Sequence, residues 1–132
     1  MIFSKNAILQ AIAAGALKIE PFTPDQVQAA HIDLHLELTD GHQELSIPAG
    51  GFALAKTKEN ITTSDDIAAF MEGKASLAKT GISIEQSSTF IEPGSDNQMT
   101  LELFNASDKD VVLQDGQVIA KMFVSKLIDR YK

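Results

Sequence analysis

Cysteine is absent from the 132-residue chain. That excludes a disulfide framework, a thiolate nucleophile and cysteine-ligated zinc, and it fits a reducing compartment. No apolar run approaches the roughly 18 residues of a membrane span, and the stretch before Ser4-Lys5-Asn6 is too short for a signal peptide. These absences predict a soluble, cytoplasmic protein with no membrane partner. Positive charge is scarce as well. The formal net charge of −7 argues against sequence-independent binding of polymeric nucleic acid, which draws its affinity from Lys and Arg on phosphates. A single nucleoside triphosphate needs only a few local cations and Mg²⁺, so the acidity leaves that partner open.

What is present is enough apolar content, 44%, for one domain over residues 1–132 that buries about two-thirds of its unfolded surface. There is no internal repeat, linker or low-complexity segment. Ser4 is placed to cap a short helix from Lys5 to about Ala14, with Ala7, Ile8, Ala11 and Ile12 as its apolar stripe and Gly15 as its stop. After Pro21 and Pro24 the period changes. From Ala30 to Leu38, Ile32, Leu34, Leu36 and Leu38 alternate with His31, Asp33, His35 and Glu37, which predicts a half-buried strand. Asp40-Gly41 reads as a hairpin turn into a strand near Gln43–Ile47, followed by strands at 52–56, 68–71, 82–86, 99–104, 111–113 and 118–124. Turns are expected at 92–97, 106–110 and 115–116, and a single helical turn at Ser76–Thr80. The expectation is a mainly β, distorted barrel or jelly-roll-like fold with little helix.

Several apparent motifs dissolve on inspection. His35-Leu36-Glu37 has the His-x-Glu half of a zinc deaminase signature, but the Pro-Cys-x-x-Cys half is missing, so no zinc is expected. His31 and His35 are four apart, which on a strand separates them by about 13 Å, too far to share an ion; they read as surface or interface histidines. The glycines form neither a Walker loop nor a dinucleotide fingerprint and read as turn residues.

Three segments hold together. Gly73-Lys74-Ala75-Ser76-Leu77-Ala78-Lys79-Thr80-Gly81 is followed by Phe90-Ile91-Glu92-Pro93-Gly94 and then Leu101-Glu102-Leu103-Phe104-Asn105. In order and spacing they resemble the Gly-Arg-Ser-Ser-Leu-Ala-Arg-x-Gly, Ile-Asp-Pro-Gly and Leu-Glu-x-x-Asn segments of the dCTP deaminase and trimeric dUTPase superfamily. Ile19-Glu20-Pro21-Phe22 and Gln26-Val27-Gln28-Ala29-Ala30-His31-Ile32-Asp33-Leu34 are similar to a stretch common in the deaminases, and Val111 to Ala120 is similar to the late strand-turn-strand. The resemblance covers most of the chain and tilts towards the deaminases. It implies a dUTPase-like β-fold, a homotrimer with sites at subunit boundaries, and a pyrimidine deoxynucleoside triphosphate bound with Mg²⁺ carried on its phosphates.

Carried over residue by residue, the resemblance makes Glu102 the general acid/base for water attacking the pyrimidine C4. An isolated strand glutamate is ordinarily a solvated position; the motif is what singles this one out. Leu101 and Leu103 are expected on the opposite face, anchoring it. Lys79 stands where the family's arginine holds that glutamate, keeping the charge without the planar fork. Ala75 replaces a serine that bonds the attacking water, and a methyl group makes no such bond. Lys74 and Ser76 match the triphosphate contacts, with backbone N–H groups at the start of the helical turn available to an anion. Without the motif, Lys74 and Lys79 would read as solvated charges and Ser76 as a cap. Glu92 takes the place of the aspartate that orients hydrolytic water, moved by one methylene. Ser87, Ser88, Thr89, Phe90 and Ile91 form the expected base pocket. The family's tail closes over the triphosphate, whereas here Tyr131-Lys132 comes just after the last expected strand, so no such lid is expected.

The functional expectation is a dCTP deaminase-like protein giving dUTP, or dUMP if bifunctional. One alternative is a catalytically degenerate nucleotide-binding or structural homologue, suggested by Ala75 and Lys79. The other is a dUTP diphosphatase that uses Glu92.

Overall fold

A computed structural model describes residues 1–86 and 89–129. Helix α1, Lys5–Ala13, starts where Ser4 Oγ accepts the Ala7 amide at 3.2 Å and buries Ile8 and Ala11. The strands are β1 Leu17–Glu20, β2 Ile32–Glu37, β3 Glu44–Ile47, β4 Phe52–Thr63, β5 Ile67–Gly73, β6 Ile82–Ser83, β7 Phe90–Ile91, β8 Asp96–Asn105, β9 Val111–Gln114 and β10 Val118–Lys126; a single turn, α2, spans Ala75–Ala78. Among the described residues no helix is long and apolar enough to cross a membrane.

The chain is mainly β, as its alternation and turn spacing imply. One curled antiparallel sheet runs in the order β6-β8-β4-β2-β10-β5-β7, and β1 adds to β4. Strand β4 is long because it serves two partners on one edge. Leu36 and Glu37 of β2 pair with Thr57 and Lys56, whereas Leu17 to Glu20 of β1 pair with Thr63 to Asn60. Its other edge carries β8, with a register shift between Lys56 and Asn60.

The alternation in β2 gives a fully buried row, Ile32, Leu34 and Leu36, which joins Ile61, Leu101, Leu103, Ile119 and Met122 in the core. Each such side chain contributes about 1.5–3 kcal/mol when withdrawn from water. The opposite row is not simply solvated. His31 Nε2 lies 3.2 Å from Asp33 Oδ1, with its ring 6.1 Å from that of Phe123, and His35 Nδ1 lies 2.6 Å from Glu59 Oε2. The two histidines expected at a surface or interface are both half-buried, and His35 has a buried carboxylate, Glu59, as its partner.

The expected hairpin at Asp40-Gly41 is also corrected. The turn forms, with Asp40 and Gly41 both at positive φ, but β3 does not fold back on β2. It pairs instead with β9, Glu44 opposite Gln114 through Ile47 opposite Val111, in a separate two-stranded sheet. Strand β4 runs seven residues past the expected Lys56, β8 begins at Asp96 inside the expected turn, and the expected 82–86 strand is regular only at Ile82–Ser83.

Candidate active site

Strand β5 delivers the chain to Gly73, where an added Cβ would lie 3.6 Å from the Ile84 side chain. Lys74 is extended and its carbonyl accepts the Leu77 and Ala78 amides, both at 3.0 Å, closing α2. Those two amides are therefore committed within the turn. The anion contacts expected from the motif are then the main-chain amides of Ala75 and Ser76 at the start of the turn, the ammonium of half-buried Lys74 and the hydroxyl of exposed Ser76. Among the described residues, no hydrogen bond or ion pair fixes the side chains of Lys74, Ser76 or Lys79.

The turn is locked at its far end. Gly81 has φ +100, its carbonyl accepts the Ala106 amide at 2.9 Å, and a Cβ there would sit 2.8 Å from the Ser107 backbone nitrogen. Ser107 is itself held by Asn105, a buried residue whose Oδ1 accepts the Ser107 amide and hydroxyl while its Nδ2 donates to the carbonyls of Ile47 and Lys109. The asparagine of the third motif thus works as a structural clasp between β8 and the turn that follows.

Glu102 sits on β8 between the fully buried Leu101 and Leu103, so its half-buried side chain projects from the other face. Its own amide donates to the Ile84 carbonyl at 3.0 Å, and its Oε1 accepts the Gln86 amide at 3.1 Å. Register places Leu54 opposite it and Phe52 opposite Phe104; Leu54 is 61% exposed and Phe52 55%. The expected pairing of Lys79 with Glu102 is not formed within this chain.

A cleft of about 410 Å³ opens between the end of β5 and the segment leaving α2, lined by Phe70, Glu72, Gly73, Ala78, Ile84, Glu85 and Thr89 among others. It brings together Thr89, from the expected base pocket, and the turn that carries Lys79. Thr89 is placed by its carbonyl, which accepts the Met71 amide at 3.1 Å. Phe90 pairs with Phe70 and is about half exposed, whereas Ile91 pairs with Ala69 and is buried, so only its main chain is available to a ligand. Ser87 and Ser88, and the tail at Tyr131-Lys132, lie outside the described residues. Glu72 and Glu85 were not anticipated; the first stands beside Gly73 of the opening motif, the nearest thing to a signal in the sequence.

Glu92 lies apart. Its carbonyl accepts the Thr63 and Ser95 hydroxyls at 3.1 and 2.7 Å, which fixes the backbone and leaves the side chain exposed. Six strand steps from Asp96 to Glu102 span about 20 Å, and Glu92 is tied to the Asp96 end. One chain does not bring these two carboxylates to a common point.

The likeness to known proteins bears on this arrangement. A family profile described as dCTP deaminase-like matches residues 36–127, and a dCTP deaminase, dUMP-forming, from Aquifex aeolicus is 32% identical over 96% of this chain and 82% of its own length. The chain belongs to the dCTP deaminase-like family. Among solved structures, the 2'-deoxycytidine 5'-triphosphate deaminase from Agrobacterium tumefaciens superposes with a TM-score of 0.73 at 18% identity; the match covers 93% of this chain and 47% of that one. The EIAV dUTPase superposes with a TM-score of 0.66 at 19% identity, covering 89% of this dCTP deaminase-like chain and 92% of its own. At these identities the two superpositions establish the fold alone. It is the fold expected from the motifs.

Proposed function

We propose that this dCTP deaminase-like protein binds a pyrimidine deoxynucleoside triphosphate and deaminates dCTP without zinc. The observation that carries the reading is Glu102, half-buried on β8 with one carboxylate oxygen held by a main-chain amide. Such a group takes a proton from water as its oxygen adds to C4. It returns protons to the exocyclic nitrogen, the C4–N bond breaks, and ammonia and the uracil ring are the products. The first turn of α2 carries no acidic residue, so it offers the substrate's phosphates an ammonium and a hydroxyl rather than ligands for a metal. Mg²⁺ would enter as part of the substrate, on the triphosphate.

The reading includes a homotrimer acting in the cytoplasm, with Glu102 facing a neighbouring subunit across the apolar Phe52 and Leu54. Release of diphosphate to give dUMP would be the task of Glu92. A second reading, a nucleotide-binding protein without turnover, is favoured by exposed Ala75, whose methyl has no hydroxyl to offer, and by Lys79, which has no ion-pair partner among the described residues.

Chromatographic product analysis after incubation with dCTP or dUTP and Mg²⁺ tests this. Conversion of dCTP to dUTP or dUMP, abolished by Glu102→Gln, is the expected result. Loss of only the dUMP product in Glu92→Gln would assign the second step, and release of dUMP from added dUTP alone would make the protein a diphosphatase. Absence of any product at high enzyme concentration would defeat the deaminase reading in favour of the second.

A further inference from the structure

We infer that the main-chain N–H of Gln86 is a positioning group for Glu102, an inference that rests on the deaminase reading and deepens it. A glutamate side chain has three rotatable bonds, and a carboxylate free to turn meets its substrate in the productive orientation only part of the time. Here it is fixed at both ends. The backbone is set by the buried Leu101 and Leu103 and by the Glu102 amide on the Ile84 carbonyl, and the tip is set by the Gln86 amide on Oε1. Oε2 is left as the oxygen that exchanges protons with water and the leaving amine.

The donor is not interchangeable with a side chain. The Gln86 side chain is exposed and makes no hydrogen bond among the described residues, so the whole contribution passes through the backbone and escapes ordinary side-chain substitution. The same segment also walls the cleft, since Ile84 and Glu85 line it. The carboxylate and the wall against which a base would lie therefore share one short stretch of chain.

The test replaces the residue-86 amide by an ester, using the α-hydroxy analogue of glutamine, beside Gln86→Ala, which keeps the N–H. The expected result is a fall in dCTP kcat of roughly tenfold to a hundredfold for the ester, the scale of a hydrogen bond to a charged group, with KM unchanged. Gln86→Ala should stay within about twofold of wild type. A second readout needs no turnover: the Gln86 amide resonance in ¹⁵N spectra should move as the Glu102 carboxylate titrates, and should cease to do so in Glu102→Gln. An ester variant with wild-type kcat, or an amide resonance indifferent to Glu102, overturns the inference while leaving the deaminase reading standing. Absence of dCTP turnover in wild type defeats that reading and the catalytic role with it, and a resonance still coupled to Glu102 identifies this case.

Discussion

Removing the imidazole of His35 should cost far more stability than a partly exposed strand histidine normally does. Its partner Glu59 is 1% exposed and accepts three hydrogen bonds, from Gln26 Nε2 at 3.0 Å, the His35 amide at 2.9 Å and His35 Nδ1 at 2.6 Å. Among the described residues no lysine or arginine forms an ion pair with this carboxylate, so His35→Ala deletes its shortest contact and leaves no side chain to replace it. Breaking a fully buried pair costs about 3–5 kcal/mol. The imidazole is 29% exposed and water can take part of its place, which brings the expectation to about 2–3 kcal/mol. For a chain of this size that is a fall in Tm of roughly 6–12 °C. Urea unfolding followed by circular dichroism, at fixed protein concentration so that assembly does not shift the midpoint, supplies the measurement. Replacing both partners, His35→Leu with Glu59→Leu, should cost less than the sum of the two single changes, because no buried charge is then left without a partner. A loss under about 0.5 kcal/mol in His35→Ala, or strict additivity in the double variant, would refute the reasoning.

Two further changes probe the frame around the site. Gly81→Ala forces a side chain into φ +100 against the Ser107 backbone and should lower stability by about 1–3 kcal/mol, measured by the same urea titration; an unchanged midpoint would show that the close approach relaxes freely. Asp115 accepts the Leu38 amide and the Lys58 ammonium, which hold its carboxyl below the ordinary carboxylate range. A depressed folded-state value stabilises the fold above the unfolded value of about 3.9 and loses that effect as pH falls through the lower, folded one. Asp115→Asn should accordingly flatten the acid limb of a Tm-against-pH curve below about pH 4, and an acid limb as steep as wild type would sink this account.

The parts of the fold legible in the sequence are those governed by local chemistry. Ser4 and Gly15 bracket α1, the Ile32–Leu34–Leu36 row is the core face of β2, and Leu101 and Leu103 anchor Glu102 as their spacing implies. Pairing across long separations was not legible. Asp40-Gly41 announces a turn but carries no information about the partner of the next strand, which comes some seventy residues later. The second half of β4 was missed because Lys56-Thr57-Lys58-Glu59-Asn60 lacks apolar alternation. Its buried members, Thr57 and Glu59, are polar groups satisfied by partners elsewhere, Thr57 Oγ1 receiving the Met99 amide and Glu59 meeting Gln26 and His35. The motif pointed to the turn, which forms at Ala75–Ala78, and to Glu102 as a candidate, but the Gln86 contact depends on main-chain geometry and leaves no trace in residue identity.

The position of β2 between β4 and β10 has a consequence for synthesis of the chain. The last long strand occupies the slot between β2 and β5, so a ribosome-bound chain that has emerged only through residue 117 carries two sheet edges with no neighbour on either side of the gap. Exposed edges of this kind recruit other chains, and antiparallel pairing over such separations is slow. The nascent protein is thus most vulnerable to aggregation before β10 has emerged, and the arrival of that strand, rather than the formation of α1 or the early strands, is the event that lets the sheet close.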